Sequence, residues 1–192
     1  PNNIQFQSNQ RCIHPASQGS MGYALPAIIG SYYADETRPI ISVIGDGSIM
    51  MNLQELETIN FHNIPVKIFV ISNNAYAIIR KRQKDLFRNR TTGTDSSNGV
   101  SCPNFQKIAK GFNIQYHRID DNKELALKLK SILALDGPVI CEIMGLPDQG
   151  YIHVSHTKNS SNKIVIRPIE DQSPFLDRDL FLSEMIIKPI DQ

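Results

Sequence analysis

Short apolar runs alternate along the chain with longer segments whose apolar residues return every three or four positions. The runs PIISVIG (39–45), VKIFVIS (66–72) and PVICEIMG (138–145) are rich in β-branched residues and end in glycine or serine, and IQYHRI (114–119) is a shorter, more polar run. Their length and composition predict strands, and the near-continuous apolar character of three of them predicts burial on both faces, as in a parallel sheet. The segment GSMGYALPAIIGSYYA (19–34) is small and apolar and predicts a buried helix packed closely on a neighbour. In NLQELETINFHN, Leu53, Leu56 and Ile59 fall at helical spacing, and Asn52 with Glu55 three residues on makes a capping-box pattern that starts a helix near Asn52. Residues 76–88 predict a basic helix, NFQKIAKGF a short helix closed by Gly111, and NKELALKLKSILALDG an amphipathic helix ended by Gly137. The polar stretch TTGTDSSNGVSCP (91–103) predicts a mobile loop or lid.

Strands and helices in strict alternation predict an α/β domain: a doubly wound, mostly parallel sheet with helices on both faces. Beyond Asp148 the pattern dissolves into the polar HTKNSSNK and a proline-bearing tail. The expected division is therefore a domain over 1–148 and a C-terminal extension over 149–192 that lies on the domain or on a partner. The chain, which starts at Pro1, is expected to be a piece of something longer.

Charge narrows the partners. The chain has 20 basic and 19 acidic residues, mostly interspersed. The basic cluster Arg80-Lys81-Arg82 with Lys84 is too short for a nucleic-acid footprint and reads as a solvated helix face. Cys12, Cys102 and Cys141 are far apart and form no CxxC, which predicts neither a zinc site nor a disulfide framework and suits a reduced, cytoplasmic setting. No unbroken apolar stretch approaches the roughly 18 residues of a membrane span. His153 and His156 have HxxH spacing but lack nearby acids or cysteines, so no metal is expected there.

The chemistry concentrates where two predicted strands end. Gly45-Asp46-Gly47 closes one and Asn73-Asn74 the next, with 25 residues between the two motifs. In open parallel sheets ligands bind beyond the carboxyl ends of the strands. A carboxylate and an amide oxygen are hard ligands of the kind Mg²⁺ or Ca²⁺ accepts, and Mg²⁺ usually completes its octahedron with phosphate oxygens and water. Glycines on either side of Asp46 allow close backbone approach, and a helix starting near Asn52 helps to hold an anion. The pattern predicts a phosphate-bearing cofactor anchored through a divalent metal.

GDG, 25 residues and NN together resemble the motif of the thiamine-diphosphate-dependent enzymes, which include pyruvate decarboxylase, acetolactate synthase, benzoylformate decarboxylase and transketolase. GSMGYALPAIIGS (19–31) and GDGSIMMNLQELETINFHNIPVKIFVISNN (45–74) are similar to the acetolactate synthase group, and the resemblance extends over about residues 15–146. It implies that Asp46, the Asn74 side chain and the Tyr76 carbonyl bind Mg²⁺, while Gly45, Gly47 and Ser48 border the diphosphate. Met21 stands where the family has the large apolar residue that bends thiamine diphosphate into its V shape. Gly19, next to Ser20, supplies the carbonyl that meets the aminopyrimidine, and Ile79 lines the pocket near the reacting carbon.

The implied reaction is decarboxylation of a 2-oxo acid followed by carboligation, or alternatively release of an aldehyde; a non-catalytic cofactor-binding module is a further alternative. The activating glutamate belongs, by the same resemblance, to an N-terminal domain of the full-length protein contributed by a partner subunit. This chain is thus expected to hold no catalytic residue of its own, to be inactive alone, and to work as a homodimer or tetramer. A flavin (FAD), if the whole protein carries one, would sit in a middle domain. Two positions depart from the acetolactate synthase group: Gln83 stands where that group has an acceptor-selecting tryptophan, and Arg80 where it has a small or apolar residue.

Overall fold

The computed structural model describes residues 4–15, 17–149, 156–158, 164–168, 170–171 and 175–187. Chain contacts divide it into two compact units, Pro1–Asp148 and Gln149–Gln192.

Among the described residues of the first unit, strands β1 (Ile40–Gly45), β2 (Val66–Ser72), β3 (Gln115–Ile119) and β4 (Val139–Met144) form one parallel sheet in the order β1-β2-β4-β3. Gly45 stands beside Ile71, and Ser72 beside Met144, so the carboxyl ends of the strands share one rim. Helices α1 (Ala24–Ala34), α3 (Glu55–Phe61) and α5 (Phe105–Gly111) bury Leu25, Ile28, Leu56, Ile59, Phe105 and Ala109 against Ile44, Val66, Ile68, Val70 and Ile140. On the opposite face α6 (Asn122–Leu133) packs Ile132, Leu125 and Leu129 against Phe69, Ile119 and Cys141. Helices on both faces of a parallel sheet are the doubly wound arrangement that the alternating pattern predicts.

The strand β2 is buried along nearly its whole length, in line with its continuous apolar run. By contrast β1 alternates. Its Ser42 and Ile44 are buried, but Ile41 and Val43 are 58% and 64% exposed, so the expectation of a strand buried on both faces fails there. The reason is position: β1 ends the strand order, and α6 covers only the far half of that face.

Helix ends differ from expectation in instructive ways. The Asn52–Glu55 capping box does not form. The backbone turns helical immediately after Gly45, as α2 (Asp46–Ile49) and then a 3₁₀ turn (Met50–Asn52), and α3 starts at Glu55 with no side-chain cap. Nor does Gly111 close α5. Asn113 adopts φ 54° there, as Asn63 does at φ 47° after α3. In both places the next residue, Ile114 or Ile64, is buried and returns its N–H to a carbonyl five residues back, at 2.8 and 3.0 Å. This is the Schellman closure with asparagine in glycine's place. Gly137, at φ 68°, lies four residues beyond the end of α6. Lys67, inside β2, is only 6% exposed and places its ammonium 2.6 Å from the Gly137 carbonyl, and burial lowers its pKa.

In the second unit β5 (His156–Lys158) pairs antiparallel with β6 (Ile164–Ile166). Helix α7 (Arg178–Glu184) is capped by Asp177, which accepts from the N–H groups of Asp179 and Leu180. Asp171 receives the guanidinium groups of Arg167 and Arg178. The HxxH pair lies outside the described residues, apart from the backbone of His156.

Candidate functional site

The first jaw of the site is built by the sharp exit from β1. Gly45 is extended, at φ −77° and ψ 153°, and the chain enters α2 at Asp46, which is only 3% exposed. The second jaw is the end of β2, where Asn74 takes the left-handed conformation at φ 54° and turns the chain toward α4 (Ala77–Leu86).

Asp46 joins the two. Its Oδ1 accepts the N–H of Gly47 at 2.8 Å, and its Oδ2 accepts those of Asn73 at 2.9 Å and Asn74 at 2.6 Å. A carboxylate offers about four lone-pair positions. Three are taken by these N–H groups, and the Cys102 thiol lies nearby, its pKa pushed up to about 12 by burial first and then by the neighbouring Asp46 charge. That thiol is neutral at physiological pH and a weak donor, so it brings no counter-charge. No Lys, Arg or His pairs with Asp46 among the described residues. A buried carboxylate without a cationic partner is expensive to maintain unless a cation joins it.

The neighbours suit such a cation. The Asn74 side-chain amide is exposed and makes no hydrogen bond among the described residues. The Tyr76 carbonyl accepts the Arg80 N–H at 2.9 Å, which leaves its second lone pair. All three are hard oxygen donors. Three oxygens leave an octahedral cation short of ligands, and among the described residues no group of three or more His, Cys, Asp or Glu residues is assembled for a metal. That is the situation in which Mg²⁺ is usually held, shared with substrate phosphates.

The glycines divide their roles. A Cβ on Gly45 would meet nothing within 4 Å, so open space adjoins the first jaw. A Cβ on Gly47 would lie 2.5 Å from the Tyr76 ring, so this glycine makes room for a neighbouring side chain. The Tyr76 hydroxyl lies 3.4 Å from the Gly47 carbonyl, and burial raises its pKa, with Cys102 and Asp46 adding to the effect.

Ser48 accepts the Gly22 N–H at 3.0 Å, and Asn52, in place of capping a helix, donates to the Gly22 carbonyl at 3.1 Å. Gly22 has φ 80°, and a Cβ there would strike Met51 and Asn52 at 2.7 Å. This clasp ties the turn carrying Gly19, Ser20 and Met21 to the first jaw. Met21 and Ile79 are 39% and 46% exposed, and neither contributes to the buried core. Gly19, at φ 60°, bonds back to the Pro15 carbonyl. Asp46, Gly47, Asn74 and Tyr76 are thus brought into direct contact, and Ser48 reaches the turn beside Met21. The described hydrogen bonds connect neither Gly19 nor Ser20 to the jaws.

Two expectations about the surroundings are corrected. The loop 91–103 is hydrogen-bonded throughout its first half: Thr94 is fully buried, and Asn98 Oδ1 accepts the N–H groups of Thr94 at 2.6 Å and Asp95 at 3.0 Å. Arg80 is not a solvated residue, for its side chain is 12% exposed and pairs with Asp95 and Asp148, each at 2.9 Å.

Comparison with known proteins decides the family. The sequence matches the family described as "Thiamine pyrophosphate enzyme, C-terminal TPP binding domain" over residues 2–143. The chain belongs to this thiamine-diphosphate enzyme family. Acetolactate synthase large subunits from Porphyra purpurea and Cyanidium caldarium are 35% and 32% identical to it over 130 and 147 residues, which are 68% and 76% of this chain but 22% and 25% of those proteins. Acetolactate synthase 1, chloroplastic, of Zea mays is 31% identical over 151 residues, 77% of this chain and 24% of the relative. This thiamine-diphosphate-binding domain therefore spans about a quarter of the length of the curated relatives it matches. Residues to which motif reading gave no part in the site, namely Thr94, Asp95 and Cys102, surround its two jaws, and Asn52, read as a helix cap, belongs to the Gly22 clasp instead. The only sequence signal of the first three is residue type, because what recruits them is the path of the chain.

Proposed function

We propose that this domain holds the diphosphate end of thiamine diphosphate through Mg²⁺ in an acetolactate synthase-like enzyme acting on a 2-oxo acid. In this reading Asp46, the Asn74 amide oxygen and the Tyr76 carbonyl hold the metal, with Gly45, Gly47 and Ser48 beside the diphosphate. The observation that carries it is the buried Asp46 carboxylate, held by the backbone N–H groups of both jaws and without a cationic side-chain partner among the described residues. When bound, thiamine diphosphate supplies the electron sink for decarboxylation. The chain's own residues bind and orient. Three N–H donors fix Asp46 before any metal arrives, and the Ser48–Gly22–Asn52 clasp sets the turn that presents Met21 to the cofactor. Activation of the bound cofactor would fall to a glutamate of the partner subunit's N-terminal domain, in which case the working unit would be a homodimer or tetramer.

Gln83 bears on the second substrate. Its side-chain amide is spent on Thr92, donating to the carbonyl at 3.1 Å and accepting the N–H at 2.9 Å. A side chain held this way does not project an aromatic wall toward an acceptor. This favours an acceptor other than that of branched-chain synthesis, or aldehyde release.

The test is calorimetric titration of thiamine diphosphate into the full-length protein with and without Mg²⁺, for wild type and Asp46→Ala. Binding that needs Mg²⁺ and is lost in the variant is expected. Tight binding indifferent to both overturns the assignment. Product analysis with pyruvate then separates acetolactate from acetaldehyde.

A further inference from the structure

Tyr76 supplies a backbone carbonyl to the proposed metal site, and a carbonyl has no side chain to aim it. Its position depends on what holds residues 75 and 76. On the amino side, Tyr76 N–H donates to the Thr94 carbonyl at 2.8 Å, and Ala75 forms an isolated bridge with Asp95. On the carboxyl side, the Tyr76 carbonyl accepts the Arg80 N–H at 2.9 Å. The two sides meet in one residue. Arg80 Nη1 pairs with Asp95 Oδ2 at 2.9 Å, and both side chains are mostly buried, 12% and 16% exposed.

We propose that the Arg80 side chain is a positioning group for the metal site, steadying the Tyr76 carbonyl through Asp95 and the Thr94 carbonyl, while the Arg80 backbone N–H supplies the helical bond that any residue there would make. This rests on the reading of Tyr76 as a metal ligand. Arg80 is not a binder of substrate anions. Its Nη1 is taken by Asp95, and its Nη2 by Asp148 and the Pro147 carbonyl. Nor are its two acidic partners equivalent. Asp148 is 79% exposed, so that pair is screened by solvent, whereas Asp95 is additionally held by the Ser97 hydroxyl and N–H and by Thr94. Asp95 is thus the arm that transmits order from Arg80 to residues 94–98, and from there to Tyr76. The Gln83–Thr92 pair fastens the start of the same loop to the next turn of α4.

The experiment uses the full-length protein as wild type, Arg80→Met, Arg80→Lys, Asp95→Asn and Asp148→Asn. Apparent Mg²⁺ affinity is measured by calorimetry at saturating thiamine diphosphate, and Tyr76 amide exchange is followed in the absence of cofactor. Groups that orient metal ligands from behind are typically worth about 10–100-fold in metal affinity. Arg80→Met and Asp95→Asn are expected to weaken Mg²⁺ by about tenfold or more and to speed Tyr76 exchange, with activity recovering at excess Mg²⁺. Arg80→Lys, which keeps the charge but loses the guanidinium's paired donors, should fall between them and wild type. Asp148→Asn should stay within about twofold of wild type. Mg²⁺ affinity and Tyr76 exchange both unchanged in Arg80→Met and Asp95→Asn overturn the proposal. If Arg80→Met fails to fold, the near-isosteric Asp95→Asn decides in the same way. If the wild type itself binds no Mg²⁺ or cofactor, the reading of the metal site fails. Tyr76 exchange then judges the brace alone, and unaltered protection in Asp95→Asn defeats it.

Discussion

Gly47→Ala is a small perturbation with an unusually clear structural cost. A Cβ at this position would lie 2.5, 2.8 and 2.9 Å from three atoms of the Tyr76 ring. Carbon atoms in contact prefer about 3.5–4.0 Å, so the ring would have to retreat by about 1 Å. Its freedom is limited, because the Tyr76 backbone is bonded to Thr94 and Arg80. Overpacking of this kind costs about 1–3 kcal/mol. Against it stands the helix propensity of alanine over glycine, worth up to about 1 kcal/mol in α2. The net expectation is a destabilisation of about 0–2 kcal/mol in the wild-type background. In a Tyr76→Ala background the clash disappears and only the propensity remains, so the same substitution should turn neutral or stabilising. The coupling energy of the double-mutant cycle is then the clash itself, about 1–3 kcal/mol. Urea unfolding of the four proteins measures it from midpoints and slopes. If Gly47→Ala costs the same with and without the Tyr76 ring, the ring is not the reason for glycine at this position.

Other expectations are simpler. Asp95 is held down to about 2, by the Ser97 hydroxyl first and the Arg80 guanidinium second. Its folded value lies below the ordinary 3.8, so its support of the loop is complete above about pH 4 and is lost as the pH falls through about 2. The amide shifts of Thr94 and Asn98 should report that low midpoint, and a midpoint near 3.8 would refute the bonding described. Burial raises Cys102 to about 12 and Cys141 to about 11, whereas Cys12 is exposed. Iodoacetamide at about pH 8 should therefore label Cys12 well before the other two, and equal rates by mass spectrometry would contradict this. Ile68→Ala, in the fully buried middle of β2, should cost about 2–5 kcal/mol in urea unfolding. Val43→Ala, 64% exposed on β1, should cost less than about 1 kcal/mol, and similar losses at the two sites would deny the uneven cover of the sheet.

The sheet and its order of elements were legible because β-branched runs and three-to-four spacing are local properties. Both jaws could be found for the same reason: Asp46 and Asn74 fall immediately beyond strands whose ends are easily read. What escaped was settled by contacts distant in sequence. Asn52 has a capping-box partner at Glu55, yet its amide goes to Gly22, 30 residues away, and the helix begins six residues earlier. Arg80 sits in a basic cluster on a helix, and only the return of the chain at Asp95 and Asp148 takes it out of solvent. The loop 91–103 has the composition of a mobile segment, but Asn98 and Asp95 satisfy its backbone from within. Exposure on β1 could not be read from its sequence, since IISVIG is as apolar as a central strand and only the strand order makes it terminal.

That terminal strand leaves the sheet with an open edge. Among the described residues, the side of β1 away from β2 has no partner strand, so its N–H and C=O groups form an open template beside Ile41 and Val43. A six-residue segment that is β-prone, uncharged and free of proline is also the signature of cross-β stacking. Two copies meeting edge to edge would extend the sheet across molecules, and because IISVIG holds neither a lysine nor a proline, the residues that oppose such growth are those at its borders, Arg38 and Pro39 before it and Asp46 after it.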